Sequence, residues 1–152
     1  MTGSEPRWVA FIRGADRAGT VSALAGVFST RGVNFDSLTT GGVDADTGSI
    51  VVTFTASERR QHLLVRTVER LSVVRSVEVR SAEDRSVRAA GVVRLPRGVA
   101  FTVPGGTDVR WSGDSTSGQP VLVEGPLADV ELVIAHARAS GAVATVILPP
   151  LV

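Results

Sequence analysis

The sequence predicts an α+β fold in which a β-α-β-β-α-β unit precedes a smaller α+β unit. Short runs of alternating apolar residues, which are typical of strands, are interleaved with segments whose apolar residues recur every three or four positions, as in amphipathic helices. A stretch of charged and small residues then separates two parts of different texture. We therefore expect domains at residues 1–82 and 92–152, joined by a linker at residues 83–91.

The first strand and the first helix are the clearest elements. Arg7–Arg13 carries apolar residues on both faces, which predicts a central strand. A turn leads into a helix from about Ala18 to Thr30, whose apolar positions lie on one face. Gly32 follows the end of this helix, where a left-handed cap favours glycine.

The rest of the first unit repeats the alternation of strands and helices. The expected elements are a strand, a loop, a strand, a helix and a strand, at Val33–Thr40, Gly41–Gly48, Ser49–Thr55, Ser57–Leu71 and Val73–Arg80. Ser57 suits the N-cap of the second helix because its hydroxyl can accept a free backbone N–H. This order is the ferredoxin-like arrangement, with two helices on one face of an antiparallel sheet and the first and third strands at its centre.

The second unit is expected to be shorter. Val99–Val103 and Asp108–Trp111 predict a hairpin around Pro104–Gly106, and a strand is expected at Val121–Glu124. Pro126 suits the first position of a helix that runs to about Ser140. The last elements are a glycine stop at Gly141 and a strand at Val143–Leu148. Both halves thus contain a strand, helix, glycine and strand in the same order, which indicates a weak internal repeat.

The composition excludes several kinds of chemistry. The chain has no cysteine, no lysine and no tyrosine, and all 16 basic residues are arginine. Thiolate sites, Schiff-base catalysis and the phosphate-binding lysine of a P-loop are therefore absent. The formal net charge is +1, and neither a secretory signal nor a long apolar run is visible. We expect a cytoplasmic protein that binds neither nucleic acid nor membrane.

Two segments carry a family resemblance. Asp16–Val21 and Phe28–Leu38 resemble an ACT domain, and more narrowly the regulatory small subunit of acetolactate synthase. The sharper part is Arg31–Leu38, which contains the Gly-x-Asn-x-x-Ser-Leu run. The resemblance covers residues 7–82 and implies an ACT domain followed by a shortened C-terminal domain.

The resemblance also implies a function. Such small subunits are not catalysts; they bind and activate a thiamine-diphosphate-dependent catalytic large subunit and confer feedback inhibition by a branched-chain amino acid, often valine. It further implies a homodimer through the ACT domain and no cofactor in this chain. Thiamine diphosphate, FAD and Mg are expected only in the partner catalytic subunit.

The expected effector site lies between the first turn and the second strand, at the interface of two ACT domains or within one chain. The residues that the resemblance assigns to it are Asp16, Ala18, Gly19, Thr20, Val21, Asn34 and Phe35. Unpaired backbone N–H groups at the start of a helix suit a carboxylate, and Gly19 allows close approach. Asp16 can accept from an ammonium group, but its charge repels the ligand's carboxylate, which disfavours valine.

Each of these residues also has a structural interpretation. Asp16 can cap the helix, Gly19 can be a packing glycine, and Asn34 can serve a turn. Phe28 and Phe35 can be core residues. His62 and His136 have no partner at ligand spacing, so we expect no metal site.

Three other functions remain open at this stage. The first is a free-standing ACT sensor that serves a different biosynthetic enzyme. The second is a small enzyme with Asp16 or Glu124 as a lone base. The third is an RNA-binding domain of the same topology, which is disfavoured because the strand Ser49–Thr55 carries a single aromatic residue, Phe54.

Overall fold

The structure is a computed structural model that describes residues 5–15, 18–44 and 47–149. Contacts within the structure divide the chain into two compact units, and the boundary along the chain falls between Ala82 and Glu83. The elements of the first unit are β1 (Arg7–Ala15), α1 (Ala18–Thr30), β2 (Phe35–Asp44), β3 (Thr47–Thr55), α2 (Glu58–Glu69) and β4 (Val74–Ser81). Those of the second are β5 (Arg88–Arg94), β6 (Arg110–Ser112), β7 (Val121–Pro126), α3 (Leu127–Ala139) and β8 (Val143–Ile147), with a short 3₁₀ turn at Ser115–Ser117.

The first unit has the expected ferredoxin-like topology. Its antiparallel sheet has the order β2-β3-β1-β4, so β1 and β3 are central as predicted. Its core joins inward-facing residues of both central strands to residues from both helices, including Ile12, Phe54, Leu24 and Leu64. Both helices therefore pack on the same face of the sheet. Among the described residues, no helix has the length and apolar character needed to cross a lipid bilayer.

Local caps set the helix ends in this unit. The Ser57 hydroxyl accepts the Arg60 N–H at 3.2 Å and begins α2, as predicted. Gly32 has a φ of 65° and ends α1, also as predicted. The guanidinium of Arg60 then donates to the carbonyls of Arg31 and Gly32, at 3.0 and 2.8 Å. These bonds satisfy acceptors that the end of α1 leaves free.

The loop predicted at Gly41–Gly48 is wrong in extent. β2 continues to Asp44 and β3 begins at Thr47, with Gly42 paired to Gly48. Glycine and aspartate are rare in strands, but the ladder satisfies their backbone groups here. At its other end β2 begins at Phe35 rather than Val33, because the Val33 N–H donates to the Phe28 carbonyl and closes α1.

The second unit repeats the sheet of the first. Its order is β6-β7-β5-β8, so each strand has a counterpart in β2-β3-β1-β4, and α3 corresponds to α2. No helix corresponds to α1, because residues 95–109 connect β5 to β6 through turns. The weak internal repeat in the sequence thus corresponds to one topology built twice, the second time without its first helix.

Two secondary-structure predictions fail in this unit. Arg88–Arg94 is strand β5, although residues up to 91 were expected in the linker. Its buried face is made of Ala89, Gly91 and Val93, whose small side chains hide the alternation.

The predicted hairpin is also wrong, because Val99–Val103 is not a strand. The Ser115 hydroxyl accepts the Phe101 N–H and donates to the Val99 carbonyl, so this segment is bonded to a side chain instead of a ladder. Pro126 is the last residue of β7 and occupies the N-cap position, so α3 begins at Leu127, one residue later than predicted.

Candidate functional site

The turn from β1 into α1 is braced by the loop before β4. The Ala15 N–H donates to the Val73 carbonyl at 2.8 Å, and the Thr20 hydroxyl donates to the Ala15 carbonyl at 2.8 Å. A side chain at Gly14 would lie 2.6 Å from the Val73 oxygen, so the close approach requires glycine. The side chain of Thr20 is 2% exposed and is used to hold this turn, which leaves only its backbone for a ligand.

The start of α1 is open on its solvent side. Gly19 is exposed, and a Cβ added there would meet nothing within 4 Å, so it is not a packing glycine. Ala18 is the first residue of α1, and Val21 is partly buried against the core. The N–H groups of a first helical turn have no partner within the helix. Asp16, predicted as a cap or a ligand, lies outside the described residues.

The start of β2 forms the second half of the predicted site. Asn34 is exposed. The Phe35 ring is 41% exposed and meets the Phe28 ring edge to face at 5.8 Å between centroids. Phe28 itself is buried and also contacts Phe54, so it is a core residue as expected, whereas Phe35 is not. A groove of about 420 Å³ runs beside these residues, and its lining is Ala25, Phe28, Ser29, Gly32, Val33, Asn34 and Phe35.

The two halves of the predicted site do not meet within one chain. Ala15, just before α1, pairs with Thr47 at the start of β3, while Phe35 pairs with Phe54 near the end of β3. Seven residues of extended chain separate these pairs, a distance of roughly 24 Å. The expectation that a single chain could build the site is therefore wrong. The helix that joins the two halves holds them apart.

Two carboxylates of the second unit, Asp129 and Glu124, form ion pairs with arginines. The Asp129 carboxylate is nearly buried, accepts from Arg85 at 2.9 Å and from the Asp108 N–H at 2.9 Å. The Arg85 guanidinium, followed by that N–H, holds the pKa of Asp129 below its usual value. The only feature of the sequence that could have indicated this role of Asp129 is the presence of an acidic residue in the first turn of an apolar helix.

Glu124 is the second of these carboxylates. Arg88 lies 2.6 Å from its carboxylate and Arg110 lies 3.4 Å away, and the hydrogen bond from Arg88 lowers the pKa of Glu124. A carboxylate whose pKa is lowered is a weaker base near neutral pH. The geometry therefore gives no support to Glu124 as a lone base.

Among residues 5–15, 18–44 and 47–149, no three histidine, cysteine, aspartate or glutamate side chains form a group that could hold a metal ion. His62 is exposed on α2. His136 has its Nε2 2.9 Å from the Thr102 hydroxyl, so it links α3 to the connection that replaces a helix.

No protein-family model and no curated protein sequence matches this chain. Solved structures are similar to it. The acetolactate synthase small subunit from Thermotoga maritima has a TM-score of 0.63 and 13% identity, covering 96% of this chain and 99% of that one. The aspartate kinase regulatory subunit from Thermus thermophilus has a TM-score of 0.49 and 13% identity, covering 91% and 93%. The ACT domain from the GTP pyrophosphokinase of Chlorobium tepidum has a TM-score of 0.43 and 18% identity, covering 51% and 100%.

The first of these matches extends over both units, since it covers nearly the whole of each chain. Identity at this level speaks to the fold alone. The chain itself has two four-stranded antiparallel sheets and three α-helices among its described residues. The chain therefore has an α+β fold of two ACT-like, ferredoxin-type units, of which the second is the smaller.

Proposed function

We propose that this chain is a non-catalytic regulatory subunit that binds and activates an acetolactate synthase-type catalytic subunit and senses an amino acid. The shared fold with an acetolactate synthase small subunit over both units supports the proposal. The observation that carries it is the placement of the two half-sites at opposite ends of α1 and beside an edge strand.

A second copy of the chain would bring the two half-sites together. β2 is an edge strand, so one side of its backbone is open to pairing. Antiparallel pairing of β2 with its copy places the start of one β2 beside the end of the other. The end of β2 lies beside Thr47, at the same end of the sheet as the start of α1. Asn34 of one chain would then face Gly19 of the other.

The surface of α1 suits such a contact. Its 13 residues include no charged side chain, and most of its exposed positions are glycine, alanine, serine or threonine. A surface helix normally carries charged residues on its solvent face, as α2 does. A small, uncharged face allows two copies of α1 to approach closely across the two-fold axis.

An amino acid fits between these two half-sites. The free N–H groups around Gly19 suit its carboxylate, and the Asn34 amide can both donate and accept. Binding at this place would stabilise the paired state, because each half-site comes from a different chain. An effector that favours one assembly in this way can transmit its presence to a bound catalytic subunit.

A matched pair of glycine variants tests the sensor. Gly19 lies on α1 and Gly105 lies in an exposed turn of the second unit, and a Cβ added at either meets nothing within 4 Å. We expect Gly19→Ala to weaken amino-acid binding by about tenfold or more, because the methyl group occupies the ligand's approach. Gly105→Ala should leave binding unchanged. Isothermal titration with valine, leucine, isoleucine and phenylalanine measures both. Equal binding by the two variants, or no binding of any amino acid to the wild type, would contradict the sensor.

The partner is tested separately. The acetolactate synthase catalytic subunit of the same organism is mixed with this chain, and co-elution and acetolactate formation are measured with and without amino acid. We expect co-elution, higher activity, and a decrease in activity on adding the effector. Amino-acid binding without co-elution would favour a free-standing sensor for another enzyme. The missing helix of the second unit is the observation that favours this alternative, because it removes a surface that the first unit has.

A further inference from the structure

The groove beside Asn34 has a polar end and an aromatic wall. Asn34 and the exposed Ser29 supply polar groups, while Phe28, Phe35 and Ala25 supply apolar surface. The polar end of the groove suits the charged groups of a free amino acid, and the aromatic wall suits its apolar side chain. Because Asn34 lines the groove itself, a ligand held by its amide has its side chain within reach of the two rings.

The Phe35 ring is held in place although much of it is exposed. It packs edge to face with Phe28, which itself contacts Phe54 in the core. Phe35 pairs with Phe54 at the start of β2, and the register shifts before Ser37, so the strand is irregular directly after Phe35. Large apolar side chains are usually buried. A supported ring that stays open to solvent is a preformed contact surface for another apolar group.

We infer that this groove receives the side chain of the effector and favours an aromatic side chain over that of valine. The inference rests on the proposed sensor function and departs from the branched-chain expectation. A volume of about 420 Å³ lies within the range of small-molecule pockets and leaves an isopropyl group poorly surrounded. An aromatic ring covers more apolar surface and can pack edge to face against the exposed ring of Phe35.

The test compares phenylalanine with valine on the full chain by isothermal titration. We expect phenylalanine to bind about tenfold more tightly than valine to the wild type. Phe35→Ala should remove this difference, and Phe35→Leu should keep the groove apolar and shift the preference towards leucine. Leu63→Ala is the matched control, because Leu63 is 39% exposed and lies on α2 away from the groove. It should preserve the wild-type ratio.

The outcomes separate this inference from the sensor proposal. If amino acids bind but phenylalanine and valine bind equally, or if Phe35→Ala and Phe35→Leu keep the wild-type ratio, the groove inference is wrong and the sensor proposal stands. If no amino acid binds, both are wrong. Light scattering on the same samples reports whether each variant still forms a dimer. If a Phe35 variant loses both the preference for phenylalanine over valine and its self-association, the lost preference is assigned to the loss of pairing. That result counts against the groove inference.

Discussion

At the scale of single residues, Asp129 shows how one carboxylate organises the second unit. Its side chain is 8% exposed and lies between Arg85, which follows the unit boundary, and the backbone N–H of Asp108. The connection of residues 95–109 has no helix of its own, so side-chain bonds of this kind must fix it. The Ser115 hydroxyl does the same for Val99 and Phe101.

The lowered pKa of Asp129 predicts a pH dependence. Because folding lowers this pKa, the ionised carboxylate stabilises the folded state above the unfolded value of about 3.9. The contribution is lost as the pH falls through the lower folded-state pKa. We expect Asp129→Asn to lower the melting temperature by several degrees at pH 7, and by much less at pH 2.5. Circular dichroism melts across this range measure the difference.

Asp108→Asn is the control for this pH dependence. The Asp108 carboxylate is 86% exposed and lies 3.9 Å from Arg85, so its charge contributes little. It should melt like the wild type at both pH values. If the gap between the wild type and Asp129→Asn stays constant from pH 7 to pH 2.5, the charge of Asp129 does not stabilise the fold.

At the scale of elements, β1 and α1 contain glycines of opposite character. Gly14, in β1, has no room for a side chain, whereas Gly26, in the interior of α1, has open space. Glycine in a helix interior costs backbone entropy, and a crowded glycine is required by packing. The same residue type therefore has opposite effects at these two positions.

Two alanine variants of these glycines test this difference. Gly26→Ala should raise the free energy of unfolding by about 0.5–1 kcal/mol through helix propensity. Gly14→Ala should lower it by about 1–3 kcal/mol, because the methyl group meets the Val73 carbonyl and displaces the turn. Urea unfolding followed by circular dichroism measures both. Equal changes in the two variants would show that the turn at Gly14 adapts without cost.

Element boundaries could be predicted where the signal is local. Ser57, Gly32 and Gly141 mark helix ends through bonds or dihedral angles of their own neighbourhood, and all three act as predicted. β5 was missed because its buried face consists largely of alanine and glycine. The hairpin at Val99–Val103 was wrong because Ser115, more than ten residues away, takes its backbone groups.

At the scale of the whole molecule, the proposed dimer depends on the edge strand β2. A two-fold axis perpendicular to the sheet sets one residue opposite its own copy, so pairing over nearly all of Phe35–Asp44 is centred on Thr39 or on Thr40. In either register the two Thr40 side chains lie on the same face, directly opposite or diagonal to each other. Like charges at neighbouring cross-strand positions are destabilising.

Charge at this edge is therefore expected to separate the two chains. Thr40→Glu should convert the dimer to a monomer in light scattering at micromolar concentration, and amino-acid binding should be lost with it. Ser76→Glu is the control, because Ser76 is also exposed but lies on β4 at the opposite edge. It should remain dimeric. A Thr40→Glu protein that stays dimeric would place the contact on another surface.

The sequence by itself determined the α+β fold, the βαββαβ order of the first unit and the helix ends at Ser57 and Gly32, because caps, periodicity and short runs are local properties. Only the tertiary structure decided that Gly19 and Asn34 lie at opposite ends of α1, that Phe35 is open while Phe28 is buried, and that the second unit has no counterpart of α1. The positions of Gly19 and Asn34 depend on strand pairing. The register of β3 with β1 and β2 brings together residues that are distant in sequence, and no local sequence pattern records the distance between the two ends of the sheet.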